Sequence, residues 1–149
     1  MAAHGDDSLL RRLEPFVGVW SMHAPPAPIR GRVTFDWLPG GGFLVQRWEL
    51  PVPVAPNGIA VIGFHGDRGT YLQHQFDSRG VARVYEMGFA DGVWTLSRTE
   101  PDFSPLDFRQ RWTGRFSPDG DTITGRWESS RDGDSWQHDF DLRYERIRR

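Results

Sequence analysis

Turn-forming sequences rich in glycine, proline and aspartate recur at short intervals along most of this chain. They stand at 38–42, 65–69, 77–80, 90–92, 117–120 and 131–134. Glycine supplies the positive φ and proline the fixed φ that tight turns need, so this spacing is typical of β-hairpins joined in sequence. It predicts an antiparallel meander with strands at 16–23, 30–38, 42–50, 58–65, 69–76, 81–89, 93–99, 106–116, 121–129 and 135–147.

A meander of this many strands leaves two long unpaired edges unless it closes on itself. Closure into a barrel removes both edges, and a barrel slightly wider than the eight-stranded kind has room for a small organic molecule. We therefore predict an all-β fold, a single ten-stranded antiparallel meander β-barrel that forms one domain over residues 8–149. The alternative is a two-sheet sandwich with a filled core.

The N-terminal residues differ from the rest of the chain. Residues 1–7 are polar and are predicted to form a disordered tail. Ser8 is a suitable N-cap for a short helix over Leu9–Glu14, which Pro15 would end.

The last predicted strand alternates most regularly between apolar and polar residues. The more apolar of its two alternating sets of residues, the even-numbered one, consists of Trp136, His138, Phe140, Leu142 and Tyr144. The period of two predicts one face in a core and one in water. His138 interrupts the apolar face, so it is either a satisfied core group or a group that contacts a ligand.

We expect the more apolar parity of each strand to face the interior. This places five polar residues inside, namely Gln46, His74, Arg98, Gln110 and His138. Tyr85 joins them if the ambiguous strand at 81–89 presents its odd-numbered residues. The predicted aromatic walls are Trp48, Trp112, Trp127, Trp136 and Phe140.

Polar side chains in a closed apolar core each need a partner or cost about 1–3 kcal/mol. A ligand-filled or water-filled cavity removes that cost, and a few polar groups among aromatic walls are typical of a small-molecule site. The other interpretation is that these groups hydrogen-bond one another or ordered water.

Composition excludes several other classes of function. The net charge is -2 and there is no cysteine, which argues against a nucleic-acid partner, a disulfide framework and a thiolate site. No targeting segment and no membrane-spanning apolar run is visible, so we expect a cytoplasmic protein without a membrane partner. Dimerisation through the charged outer strands is left open.

No nucleotide-binding, phosphate-binding or serine-hydrolase motif is found, and no metal site and no cofactor are predicted. A metal site built from His74, His138 and a carboxylate is left open, although nothing in the spacing requires one.

The stretch Phe16–Trp20 reads Phe-Val-Gly-Val-Trp, which is similar to the Gly-x-Trp signature that opens the first strand of calycin barrels. These include the lipocalins, the fatty-acid-binding proteins and the nitrobindins. The resemblance implies that Trp20 closes the barrel floor under Arg143 or Arg146, a stack worth about 1 kcal/mol. With 35–44 and 121–128, the chain resembles an uncharacterised bacterial family of calycin-like domains of unknown function.

Resemblance to nitrobindin implies haem bound through a histidine on the final strand. Aligning the terminal residues from Tyr144 onward places Asp139 and Asp141 on the face that carries this histidine, with His138 out of register by one. One residue turns a strand side chain to the opposite face, so haem requires a β-bulge.

Three interpretations of function remain. The first is a barrel that holds an apolar or aromatic metabolite. The second is a cofactor-independent isomerase, cyclase or hydrolase in which His74 or His138 acts as general base and Arg98 or Tyr85 stabilises negative charge. The third is a filled barrel with a structural or protein-binding role. The proline-rich connections at 24–29, 51–57 and 100–105 are either the rim of a barrel mouth or ordinary loops.

Overall fold

Ten antiparallel strands close into a barrel in this computed structural model, which describes residues 7–51 and 56–149. Each strand pairs with its neighbours in sequence, and the last strand pairs with the first. The predicted all-β barrel is confirmed. The strands are β1 (Gly18–His23), β2 (Arg30–Trp37), β3 (Leu44–Glu49), β4 (Gly58–His65), β5 (Thr70–Asp77), β6 (Ala82–Ala90), β7 (Val93–Arg98), β8 (Arg109–Phe116), β9 (Thr122–Ser130) and β10 (Gln137–Arg148).

A short helical segment precedes the barrel. Helix α1 spans Asp7–Arg11, and a 3₁₀ turn spans Glu14–Phe16. The helix thus begins earlier than predicted, and Pro15 lies inside the 3₁₀ turn, where proline is accepted because the first N–H groups of a helix have no partner there. Of the predicted tail, residues 1–6 lie outside the described residues. No described helix is long and apolar enough to cross a membrane.

An aromatic cluster closes one end of the barrel beneath this helical segment. The ring centroid of Phe16, which is fully buried, lies 4.9 Å from that of Phe89 and 5.0 Å from those of Trp94 and Phe116. These edge-to-face contacts favour a densely packed floor.

The predicted pair of Trp20 with a terminal arginine is confirmed for Arg146. The guanidinium carbon lies 4.1 Å from the centroid of the Trp20 ring, and the Trp20 indole N–H donates to the Phe16 carbonyl at 2.9 Å. The Arg146 guanidinium also donates to the carbonyls of Val17 and Pro15, each at 2.7 Å. Arg146 therefore ties the last strand to the N-terminal segment.

Alternate hairpins of an up-and-down meander turn at the same end of the barrel. The longer connections therefore lie together at the end opposite the aromatic cluster. The proline-rich segments 24–29 and 51–57 both lie here, although residues 52–55 are outside the described part of the chain. Ala24, Ile29 and Pro56 line a cavity that opens at this end. In their described residues, these two segments form part of its rim.

The predicted facing of β5 is wrong by one residue. Tyr71 and Gln73 are buried, whereas His74 and Phe76 are exposed. Both parities of this strand carry apolar side chains, so periodicity alone does not distinguish its faces. The Tyr71 hydroxyl hydrogen-bonds the Leu9 carbonyl of the helical segment, which favours the odd-numbered residues inside.

A bulge in β10 reverses the predicted facing of its first residues. The pairing with β9 shifts register between His138 and Phe140, because two residues of a bulged strand oppose one on the partner. Asp139 and Phe140 both line the cavity, while His138 is exposed. Trp136 lies on the outside, with the Arg111 guanidinium 4.1 Å from its ring centroid.

We expect Gly125→Ala to lower the free energy of unfolding by about 1–3 kcal/mol. A Cβ on Gly125 would lie 2.5 Å from the Thr113 carbonyl oxygen and 2.6 Å from the ring of Trp112, which is buried. Gly42→Ala is the matched control, because a Cβ there meets nothing within 4 Å. Urea denaturation measures both variants, and equal stability would contradict the close approach of β9 to Trp112.

Candidate functional site

A cavity of about 590 Å³ occupies the open half of the barrel. Eight strands and the rim connections contribute to it, and its floor is the aromatic cluster that closes the other end. A volume of this order is in the range of small-molecule sites in proteins, which is about 300–1,000 Å³.

Tryptophan rings form much of the cavity wall. Trp112 lies between Trp94 and Trp127, with ring centroids 5.3 Å and 5.7 Å away. Its indole packs against Gly114 and Gly125, where any side chain would displace it. The remaining apolar wall is formed by Met22, Trp48, Leu50, Leu96, Phe108, Phe140 and Leu142.

Polar side chains lie on one side of the cavity, chiefly on β5, β6 and β8. The Gln110 side-chain oxygen accepts hydrogen bonds from Arg83 Nη1 at 2.6 Å and from the Tyr85 hydroxyl at 3.3 Å. Burial raises the pKa of Tyr85 to about 12, although Arg83 and Arg98 oppose this rise. Tyr85 therefore stays a neutral hydroxyl at physiological pH.

Two further polar contacts lie deeper in the wall. The Gln73 amide nitrogen donates to the Gln75 side-chain oxygen at 3.1 Å. Tyr144 hydrogen-bonds Gln46, and burial raises the pKa of Tyr144 well above its usual range. These groups are neutral donors and acceptors, which orient a ligand without requiring it to carry charge.

Three buried polar atoms of the cavity residues have no hydrogen-bond partner within the described part of the chain. They are the indole nitrogens of Trp94 and Trp112 and the side-chain oxygen of Gln73. All three residues line the cavity. Buried polar groups are almost always paired, so these three atoms are unusual, but each is covered by the surrounding protein and does not face the open space of the cavity.

Charged residues stand at the mouth. Asp77 and Arg79 form an ion pair of 2.7 Å, and Asp139 lines the opposite side on β10. His23 lies at the rim, with its Nδ1 3.3 Å from Arg30 Nη1.

The structure brings seven of the predicted site residues together in the cavity: Gln46, Trp48, Tyr85, Gln110, Trp112, Trp127 and Phe140. Their contact with a ligand stays a prediction.

Four predicted site residues do not line the cavity. His74 is exposed on the outer face of β5, and His138 lies outside on β10, where its Nε2 contacts Asp141 Oδ1 at 2.8 Å. Trp136 also lies outside, because the β10 bulge changes the facing of the residues before it. The prediction that these three face inward is wrong.

The fourth residue, Arg98, is buried as predicted, but its guanidinium binds other groups of the protein and does not line the cavity. Its Nε and Nη2 donate to the two carboxylate oxygens of Asp102 at 2.8 and 2.9 Å. Asp102 also accepts the backbone N–H groups of Val84 and Ser104. Hydrogen bonding from Arg98 holds the pKa of Asp102 far below its usual range, so the pair organises the β7–β8 connection.

Sequence reasoning missed Gln73, Gln75 and Asp139 as cavity residues. The alternation of apolar and polar residues predicts Gln73 and Gln75 on the outer face of β5 and Asp139 on that of β10, yet all three line the cavity. Arg83 lies on the strand at 81–89, whose inward-facing side the sequence leaves ambiguous. Its spacing of two from Tyr85 places both side chains on one face.

The cavity does not fit a haem ligated from the final strand. Such a group needs an imidazole that faces inward, but Asp139 and Phe140 enter the cavity where His138 turns outward. Asp141, which the alignment with nitrobindin placed inside, contacts His138 on the outer face. Among the described residues, no group of three histidine or acidic side chains is placed to hold a metal ion.

Solved structures include a protein of the same overall architecture, whereas no family model and no curated protein matches the chain in sequence. The crystal structure of Rv2717c from M. tuberculosis aligns with a TM-score of 0.63, over 93% of this chain and 97% of that chain. The sequence identity is 16%, a level at which the likeness shows the fold alone. The chain therefore shares the fold of Rv2717c over nearly its whole length.

Proposed function

We propose that this barrel binds a small molecule with a largely apolar or aromatic body in its cavity. The observation that carries the proposal is an open cavity of about 590 Å³ whose wall combines tryptophan rings with the hydrogen-bonded side chains of Arg83, Tyr85 and Gln110. A mostly apolar cavity with a few polar groups in its wall is typical of a small-molecule site.

The apolar wall supports the same proposal. Trp48, Trp127 and Leu142 present side chains to a space that no described residue fills. Covering such surface contributes roughly 25 cal/mol for each Å² removed from water. A filled barrel with a purely structural role would leave no such space.

No observation favours the enzymatic alternative. The two histidines suggested as general bases, His74 and His138, are exposed on the outer face. Tyr85 keeps its proton at physiological pH, because burial raises its pKa to about 12. The proposal is therefore limited to binding.

Placement among calycin-like barrels is part of this proposal. Its support is the Gly-x-Trp pattern at Gly18 and Trp20 together with the stack of Arg146 on the Trp20 ring. Barrels of this kind close one end and bind ligands through the other.

We expect Leu142→Trp to weaken binding of the neutral dye Nile red by about tenfold or more, because the larger ring occupies cavity volume. Leu142 lines the cavity on β10, whereas Ile147 on the same strand is 56% exposed. Ile147→Trp is therefore the matched control and is expected to bind the dye like the wild type. Fluorescence titration of the dye measures all three proteins.

The thermal unfolding midpoints of the two variants show whether the barrel remains folded. Nile red binding that is absent in the wild type, or equal in a folded Leu142→Trp variant, would refute the cavity as the binding site.

A further inference from the structure

Arg83 is a cationic side chain in the cavity wall without an acidic partner. It lies on β6, and its Nη1 donates to the neutral amide oxygen of Gln110 at 2.6 Å. Within the described part of the chain, Arg83 takes part in none of the ion pairs. Placing a guanidinium in a largely apolar cavity is costly unless an anion or water compensates the charge.

The other charges near the cavity do not neutralise Arg83. The Arg79 guanidinium donates two hydrogen bonds to the Asp77 carboxylate, and Arg98 forms an ion pair with Asp102. The cross-strand neighbour of Arg83 on β5 is Gln75, which is neutral. The remaining acidic lining residue, Asp139, is exposed on β10.

The hydrogen-bond acceptor next to Arg83 is already occupied. The Gln110 side-chain oxygen accepts from both Arg83 and the Tyr85 hydroxyl, and the groups beside it, the Arg83 guanidinium and the Gln110 amide nitrogen, are donors. A ligand that supplies acceptor oxygens therefore matches this wall better than one that supplies donors.

The surroundings of Arg83 are aromatic as well as polar. Its guanidinium carbon lies 5.5 Å from the ring centroid of Phe108, and Tyr85 packs against Trp127 at 5.6 Å. A planar guanidinium beside flat rings suits a planar carboxylate attached to an aromatic or other apolar body.

We infer that the cavity ligand is an amphipathic organic carboxylate, whose carboxylate oxygens pair with Arg83 beside Gln110 while its apolar body lies against Trp127 and Trp48. This inference rests on the proposed function and names the chemical class of the ligand. Arg83 is half-buried in the cavity wall, so a carboxylate paired with it is partly shielded from water, and its charge-assisted hydrogen bonds contribute to affinity as well as to orientation.

Cinnamate and cinnamyl alcohol test this inference, because they share one body and differ in the carboxylate. Their affinities are measured by displacement of Nile red from the wild type. We expect cinnamate to bind at least about tenfold more tightly than the alcohol, the ratio that a charge-assisted hydrogen bond provides.

Arg83→Gln is expected to weaken cinnamate binding by about 10- to 100-fold and to leave the affinities for cinnamyl alcohol and Nile red within about twofold. Arg83→Lys, which keeps the cation but not the planar fork, is expected to show an intermediate affinity for cinnamate. The matched control is Arg115→Gln, which removes the same charge from an exposed position on β8 and is expected to change nothing.

Each other outcome overturns a defined part of the argument. Nile red binding without a preference for cinnamate refutes the carboxylate inference and leaves the proposed function intact. A preference for cinnamate that persists in Arg83→Gln refutes the role of Arg83. Absence of Nile red binding to the wild type refutes the proposed function and the inference with it.

Discussion

Replacing Arg98 by methionine is expected to lower the free energy of unfolding by about 3–5 kcal/mol. The Arg98 and Asp102 side chains are 1% and 3% exposed, and two hydrogen bonds of 2.8 and 2.9 Å join them. Methionine fills a similar volume but leaves the Asp102 carboxylate buried without its cation. Removal of one partner of a buried ion pair costs far more than the pair contributes as a whole.

The position of Arg98 in the fold increases the expected loss. Its guanidinium also donates to the carbonyl oxygens of Phe108 and Pro105 at 3.3 and 3.4 Å. The β7–β8 connection therefore takes its conformation from one side chain. Urea denaturation followed by tryptophan fluorescence measures the change.

Arg30→Met is the matched control for this substitution. Arg30 pairs with Glu145 at 3.0 Å, but the two side chains are 52% and 40% exposed. We expect a loss of about 1 kcal/mol or less, since water and salt screen an exposed pair. Similar losses in the two variants would show that burial of the Arg98 pair is not what makes it important.

The loss in Arg98→Met is also expected to depend on pH. Hydrogen bonding from Arg98 lowers the pKa of Asp102 in the folded protein, so the pair stabilises the wild type above the ordinary aspartate pKa of about 3.9. This contribution decreases as the pH falls below that value, and protonation of Asp102 relieves the variant at the same time. The difference in stability should therefore be smaller at about pH 3 than near neutrality. A difference independent of pH would contradict the assignment to Asp102.

Trp20→Ala is expected to lower the free energy of unfolding by about 3–5 kcal/mol. Trp20 is fully buried, and its indole N–H donates to the Phe16 carbonyl at 2.9 Å. Its ring also covers Arg146, whose side chain is 4% exposed. The substitution opens a space in the closed end of the barrel and leaves a buried cation without its aromatic neighbour.

Trp136→Ala separates burial from stacking. Trp136 also lies under an arginine, with the same distance of 4.1 Å between the Arg111 guanidinium carbon and the ring centroid, but it is half-buried on the outer face. An exposed cation–π contact is worth about 0.5–1 kcal/mol. We expect a correspondingly small loss from thermal or urea unfolding. Equal losses in Trp20→Ala and Trp136→Ala would show that stacking, and not burial, accounts for the role of Trp20.

Local sequence signals predicted the architecture well. Turn sequences at 38–42 and 117–120 mark hairpins through the backbone conformations that glycine permits, so they report strand number without knowledge of tertiary contacts. Closure followed from the unpaired edges that an open meander would leave. The resemblance carried by Phe16–Trp20 implied a stack of Arg143 or Arg146 on Trp20, and the structure shows that it is Arg146.

The sequence predicted which residues of a strand face the interior only where one of its two alternating sets of side chains is clearly apolar. β3 has such a pattern, and Gln46 and Trp48 do line the cavity. β5 carries apolar residues on both parities, so nothing in its own sequence excluded His74 from the interior. A choice between two such faces depends on contacts with other elements, here that of Tyr71 with Leu9.

The sequence by itself thus determined the number and order of the strands, because these depend on turn residues and on alternation within a strand. The tertiary structure decided which histidines and which arginines line the cavity. The bulge before Phe140 places His138 on the outer face. Arg98 is paired with Asp102 and does not line the cavity, whereas Arg83 does. A β-bulge and a buried ion pair both depend on contacts between segments that are distant in sequence. Their stabilising free energy arises only when those segments pack together, so the local sequence pattern does not reveal them.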